Sequence, residues 1–422
     1  MIKLIFFIFL FLFYSINLIK CVFILPFEKR LSSPENLQSM EDILKNEIYT
    51  DIKIGTPIQT INAKISFSSS AFYITGISGY QYDPQKSSTY KKESNIEQDF
   101  IQEDFTKGYI SSDLFYFMDF KTKEQKQLSS FLFILPTKKN DANSLTSGQL
   151  GFKLDSVSNY QQIMNNFKEK KLFNKNVIFI KFFKNDENGI LYIGDFPHNF
   201  DDNYNSKNYY ITKASYIGNI VHWDILFEEI LYDENLKAEY RQCELVYDFG
   251  GILAPNDYYE FVKNNFFDKL INKNDCKEVE IENNFLTFEC SGSTNIKTFG
   301  NLIFKSKDLK YNFELNYDDL FQSSKGKYYF LIVFKNNYQP DHWVFGKPFL
   351  KKYNFVLDFD KKEIGYYGNS YSNSFDYLWI VVFFLIIIII GNVYLIYKVS
   401  KIKKNKRMVT TELIDNEYFP QK

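Results

Sequence analysis

Histidine and cysteine are scarce, with three and four residues in a chain of 422. They form no C-x-x-C step and no His/Cys spacing of the kind that holds zinc, so neither a metal site nor a cofactor is expected. His198, His222 and His342 are the only histidines, and no G-x-S-x-G elbow accompanies them, which leaves little room for a serine-nucleophile mechanism. There is no N-x-[ST] acceptor for N-glycosylation. Neither sign of charge is in excess: 50 Lys+Arg against 51 Asp+Glu leaves a net charge of -1, so no long-range field points to nucleic acid or a polyanionic partner. Long helical periodicities are few, "QQIMNNFKEKKLF" being the best and "NDYYEFVKNNFFDKL", with Asn256 as a candidate N-cap, the next.

Apolar and aromatic residues are plentiful, at 45% and 19%, enough for one large bilobal domain or two smaller ones. Two apolar runs set the topology. Near the start, Lys3 precedes "LIFFIFLFLF", the flank and length of a signal-peptide core, with cleavage expected near Cys21 and an uncleaved anchor as the alternative. Near the end, "LWIVVFFLIIIIIGNVYLIY" (378–397) runs 20 residues without a charge, enough at 1.5 Å per residue to cross a hydrocarbon core of about 30 Å. Tyr377, Trp379, Tyr394 and Tyr397 suit its interfacial edges, and "KVSKIKKNKR" behind it marks the cytoplasmic side. The expectation is a single-pass type I protein of the cell surface or an endomembrane compartment, in contact with the lipid bilayer through that one helix.

Between these runs the pattern is β. In "EIYTDIKIGTP" Ile48, Ile52 and Ile54 alternate with Asp51 and Lys53 before a Gly-Thr-Pro turn, and Ile61, Ala63, Ile65 and Phe67 supply the second arm of a hairpin. "VHWDILFEEI" alternates in the same way. Cys276 and Cys290, 14 apart around the strand-like "EVEIENNFLTFE", suit a hairpin disulfide worth about 3 kcal/mol by loop entropy, leaving Cys21 and Cys243 over.

One signature occurs twice. "AKISFSSSAFYI" around Ser66 and "CELVYDFGGILAP" around Asp248 are followed 85 and 98 residues later by "GQLGFKL" at Gly151 and "HWVFGKPFL" at Gly346. The arrangement resembles the pepsin-like aspartic peptidases, whose two β lobes each contribute an Asp-Thr-Gly loop closed by a later apolar-Leu-Gly strand. "YTDIKIGTPIQTINAKI" is similar to the opening hairpin of that family, "SSTY" (87–90) to the segment before its flap, and "WVFGKPFLKKYNFVLDFDKKEIGYYG" to its C-terminal signature. The resemblance implies an all-β, bilobal fold with an N-terminal lobe 46–205 and a C-terminal lobe 206–368; the apolar runs add a signal peptide 1–21, a short pro or linker segment 22–45, a linker 369–377, a transmembrane helix 378–397 and a cytoplasmic tail 398–422. It also implies the pairing of Cys276 with Cys290 and leaves Cys243 without its partner.

Hydrolysis in this family needs two carboxylates sharing one proton, one to deprotonate water and one to donate to the scissile carbonyl. By the resemblance Asp248 supplies one, and Ser66 stands where the other belongs. The family's cross-lobe Thr positions are Phe67 and Phe249, the expectation being that both rings meet at the lobe junction. Ser68 replaces the first-loop Gly, whereas Gly250 and Gly251 keep the second loop permissive, and Ser69 has no role of its own. Setting "GYISSD" (108–113) against the flap pattern places Ile101 at the flap-tyrosine position. The candidate site is therefore Asp248 and Ser66, lined by Phe67, Ser68, Phe249, Gly250, Gly251 and Ile101. Asp51 and Asp358 are candidate replacement acids, and neither sits in an apolar-Asp-x-Gly setting.

The reading is a membrane-anchored aspartic-peptidase homologue without ordinary catalysis, whose cleft takes an extended peptide or protein segment. Its rival is an active aspartic endopeptidase using Asp248 and an unrecognised second acid. A third reading gives a receptor role to the tail "KIKKNKRMVTTELIDNEYFPQK", with "NEYF" as a sorting signal.

Overall fold

The computed structural model describes residues 21–29, 40–45, 47–77, 79–100, 105–139, 146–154, 162–173, 175–183, 188–217, 220–232, 238–281, 284–335, 343–368, 394, 396–399 and 401. Residues 1–20 of the expected signal peptide lie outside them, as does nearly all of the expected membrane span. Among the described residues no helix is long and apolar enough to cross a membrane.

Alternation builds the architecture. Strand Ile48–Ile54 buries Ile48, Ile52 and Ile54 and exposes Asp51 and Lys53. It pairs antiparallel with Gln59–Ser66 from Ile48↔Ile65 to Ile54↔Gln59, the register in which both apolar sets face one core. Among the described residues one sheet has 14 strands, another 11, and a two-stranded ribbon joins Tyr216–Ile217 to Ile220–Val221. Few helices interrupt them. Ile163–Glu169 buries Ile163, Met164 and Phe167. Asn256–Val262 is capped by Pro255 rather than by Asn256, because Pro255 is the extended residue before the helix turns.

The boundary between 205 and 206 does not follow the sheets: Tyr209–Lys213, Phe355–Asp358 and Glu363–Tyr367 all join the sheet of the N-terminal strands, through pairs such as Ile178↔Leu357. Of residues 22–45, expected as a short pro or linker segment, two pieces are described in regular structure. Phe23–Lys29 lies between Ile48–Ile54 and Asn188–Ile193, with Phe23, Leu25 and Phe27 buried. Met40–Leu44 forms a helix whose Met40, Ile43 and Leu44 are buried. Apolar alternation in the strand and helical spacing in Met40–Leu44 make these residues part of the core.

The core is heavily aromatic and continuous from one sheet to the other. Trp223 crosses between them, donating its indole N–H to the Phe152 carbonyl at 3.1 Å and meeting Phe359 edge-on at 5.0 Å. Cys276 and Cys290 are direct cross-strand partners and form a disulfide, and Cys243 is buried as a free thiol. Residues Asn369–Lys422 form a separate unit, of which residues 394, 396–399 and 401 are helical.

Candidate functional site

Two strand ends deliver the two loops. Gln59–Ser66 pairs parallel with Gly148–Gly151, Ser66 lying opposite Gly151, and the Phe152 N–H donates to the Ser66 carbonyl at 2.8 Å. Ala238–Leu245 pairs parallel with Trp343–Phe345 in the same way. Beyond it, Gly346 N–H donates to Gly251 O at 3.0 Å and Lys347 N–H to Phe249 O at 2.8 Å. A Cβ on Gly346 would stand 2.2 Å from Phe249 O, so only glycine permits that approach. The repeat read in the sequence is thus a repeat of geometry.

These loops bring residues 66 and 248 together, 182 apart in sequence. Ser66 Oγ donates to Asp248 Oδ2 at 3.0 Å, and Ser68 Oγ donates to the same oxygen at 2.8 Å. The two hydroxyls lie 3.0 Å from each other, and Ser66 Oγ also accepts the Ser69 N–H at 3.2 Å. Ser69 turns away: its Oγ accepts from Ala71 N at 3.0 Å and from the Gln149 amide at 3.0 Å, which ties the loop to the strand beneath it. Asp248 Oδ1 is buried and has no hydrogen-bond partner among the described residues.

Both hydroxyls donate to one oxygen of Asp248, whereas general acid–base hydrolysis needs a second group that ionises in the working range. Neither replacement acid supplies one. Asp51 accepts from the Asn62 amide at 2.9 Å on the outer face of the hairpin, and buried Asp358 accepts the backbone N–H groups of Asp360 and Lys361 at 3.0 Å each. The histidines do not serve Ser66 either. His198 Nδ1 pairs with the Tyr367 hydroxyl at 2.8 Å, His222 lies beside Glu244, and His342 falls outside the described residues.

The expected pair of junction rings is a single ring. Phe67 is buried and meets Tyr247, the neighbour of Asp248, at 4.5 Å and Phe152 at 5.5 Å. Phe249 points elsewhere, into the small cluster of Met40, Ile43, Leu44 and Leu331. The reason is the helix Met40–Leu44, which closes on this loop: Gly250 N–H donates to Leu44 O at 2.8 Å, and a Cβ on Gly250 would sit 1.9 Å from Ile43 O. Gly251 is likewise close, the position of its Cβ falling 2.8 Å from Leu331 O.

Beside Asp248 lies a cavity of about 440 Å³ whose wall includes Ser68, Phe249, Leu44, Lys64 and Glu47. Lys64 alternates with Ser66 on the same face of its strand and pairs with Glu47 at 3.1 Å. Burial works against the Glu47 charge, but Lys64 with the Tyr49 hydroxyl outweighs it and holds the carboxyl below its usual value. The flap arms are in place, Gln98–Asp99 pairing with Lys107 and Gly108, while Ile101 lies outside the described residues. At the base of that hairpin the buried Asp113 accepts from the Tyr82 hydroxyl at 2.7 Å, the Thr89 hydroxyl at 2.6 Å and the Leu114 N–H at 2.7 Å. Burial first, and this hydrogen bond second, push the Tyr82 phenol far up.

Sequence reasoning missed the second donor Ser68, the Lys64–Glu47 pair and the helix on the Asp248 loop. The first two had a signal, since residues 64, 66 and 68 alternate; the helix contact had none.

No curated protein matches the chain by sequence. Among solved structures it is similar to conglutin gamma, a basic 7S globulin from lupine seeds, at 12% identity and a TM-score of 0.62, over 83% of this chain and 96% of that one. It is also similar to basic 7S globulin from soybean, at 13% identity and a TM-score of 0.59, over 82% of this chain and 95% of that one. At such identities the likeness is one of fold. The family model described as eukaryotic aspartyl protease matches residues 47–367, which span both loops, both closing strands and the flap, and the chain belongs to that family.

Proposed function

We propose that this protein is a membrane-anchored member of the aspartyl protease family that does not hydrolyse peptides by the two-carboxylate mechanism and uses its cleft to hold an extended peptide. One observation carries the reading: the group facing Asp248 across the loops is the Ser66 hydroxyl, 3.0 Å from Oδ2. A serine hydroxyl neither ionises in the working range nor shares a proton in a way that splits the pKa of its partner. Ser68 supports the reading, because its hydroxyl lies within hydrogen-bond distance of both Ser66 Oγ and Asp248 Oδ2 and occupies space between the two loops. The groove itself does not depend on the acid pair. An extended ligand binds such a cleft through backbone hydrogen bonds and side-chain pockets, and the cavity beside Asp248 offers one pocket with an apolar wall and a Lys–Glu pair at its rim. Anchoring rests on the charge-free run 378–397 and the basic residues after it, which favour a type I orientation with the cleft outside the cytosol.

The test is hydrolysis of a peptide library by the full-length chain at about pH 3 to 6, where shared carboxylates operate. The expected result is no pepstatin-sensitive cleavage above that of Asp248→Ala. Cleavage that is pepstatin-sensitive and lost in Asp248→Ala would establish the rival, an active endopeptidase.

A further inference from the structure

We propose that His222, Asp224 and Glu244 form a divalent-cation site of the Zn²⁺ class that braces the strand carrying Asp248. Asp224 and Glu244 are direct partners in the antiparallel pairing of Asp224–Tyr232 with Ala238–Leu245, so their side chains share a face. His222 stands two residues before Asp224, and its Nδ1 lies 3.8 Å from Glu244 Oε1. One ligand atom from each of the three falls within 4.8 Å of the others, so rotamer adjustments bring them around one ion.

The second observation is independent of spacing. Asp224 is 1% exposed, and among the described residues neither of its oxygens makes a well-formed hydrogen bond, the Ser215 hydroxyl being the donor beside them. A buried carboxylate so weakly held is unfavourable, and a second carboxylate opposite it makes ionisation of both worse. A dication removes both penalties at once, and one imidazole nitrogen with two carboxylate oxygens is a donor set suited to Zn²⁺ rather than to Ca²⁺, which takes six or more oxygens. Three protein ligands leave a position for water.

The surroundings tell what such an ion would do. His222 N–H donates to Ser215 O at 3.1 Å, Ser215 N–H to Asp224 O at 3.3 Å, and Leu245 N–H to Trp223 O at 2.9 Å. The ion would fasten the connection 214–224 to the strand that ends three residues before Asp248. The sequence hid the site because its members are 20 residues apart and meet only through strand register.

The experiment uses the full-length chain without a polyhistidine tag, in detergent, stripped by a chelator and titrated with Zn²⁺, Mn²⁺ or Ca²⁺ separately. One equivalent of Zn²⁺ should bind, raising Tm by about 5 °C at a hundredfold excess over the dissociation constant. His222→Ala and Glu244→Gln should lose both the stoichiometric binding and the shift. Asp224→Asn, which is isosteric, should lose them too, yet melt above the stripped wild type because the unpaired charge is gone. Absence of Zn²⁺ binding by the wild type, binding unchanged in the three variants, or a response to Ca²⁺ alone would each overturn the proposal. A stabilised Asp224→Asn beside a wild type indifferent to Zn²⁺ would mean a carboxyl pair that shares a proton, and would overturn it as well.

Discussion

Replacing Ser66 by aspartate puts a second carboxylate against Asp248. Ser66 Oγ is 3.0 Å from Oδ2, so oxygens of the new side chain fall about 3 to 4 Å from the old one. At an effective dielectric constant of about 20, two unit charges at that separation repel by roughly 4 to 5 kcal/mol, or about three pK units. Ser68 at the rim is exposed, so solvent screens part of this and about 2 to 4 kcal/mol is the figure to expect. The sign is fixed by linkage. Like charges so close cannot both ionise freely, so Ser66→Asp matches the wild type below about pH 4 and loses stability as pH rises from there toward neutrality. Urea denaturation of both proteins at about pH 3.5, 5 and 7 measures it. A difference that does not change with pH would refute the facing arrangement of residues 66 and 248. Hydrolysis is a separate matter, because Ser68 Oγ is 2.8 Å from Asp248 Oδ2 and obstructs a bridging water. Ser66→Asp alone should therefore remain inactive on the peptide library, and adding Ser68→Gly should be required for any cleavage; activity in the single variant would show that Ser68 is no obstacle.

Three further outcomes follow from the packing. Gly250→Ala should cost about 3 kcal/mol or more and open the helix Met40–Leu44 to proteolysis, since its Cβ would meet Ile43 O at 1.9 Å; a Tm within a degree of wild type would refute the close approach. The double change Cys276→Ser, Cys290→Ser should lower stability by about 3 kcal/mol, from a loop closed over 14 residues, and a loss below about 1 kcal/mol in urea would contradict that. Glu47 is held below its usual value, so its pairing with Lys64 stabilises the fold above about pH 4.5 and is lost as pH falls through the depressed pKa; Glu47→Gln should flatten that acid limb of a Tm–pH profile, and an unchanged limb would remove the pair from the account.

What could be read from the chain was what is local or repeated. Period-two alternation gave the hairpin 48–66, and the doubled loop-and-glycine signature placed Ser66, Asp248, Gly151 and Gly346 around one centre. Sheet membership was not legible, because Phe355–Asp358 pairs with Val177–Phe182 across some 180 residues and nothing local records that choice. Phe23–Lys29 carries its own alternation, with Phe23, Leu25 and Phe27 inward, but the apolar leader before it hides the period, and proline is disfavoured inside a strand that is paired on both sides. Pro26 is nonetheless accommodated: its side chain is exposed and its carbonyl accepts the Thr50 hydroxyl at 2.7 Å. The direction of Phe249 was equally hidden, since only the helix at 40–44 decides which way that ring turns.

The shape of the loops does not rest on an acid at residue 66. Ser66 Oγ accepts the Ser69 N–H, as a carboxylate at that position could, so the internal bond of the turn needs no charge there. The glycine steps that close the loops act through backbone atoms and are indifferent to the side chain at 66. Contact across the junction passes to the Phe67 ring on Tyr247 and Phe152, an apolar contact that needs no oriented hydroxyl. Stability and acid chemistry are therefore carried by different atoms. The groove and its pocket are built by atoms other than the side chain at residue 66.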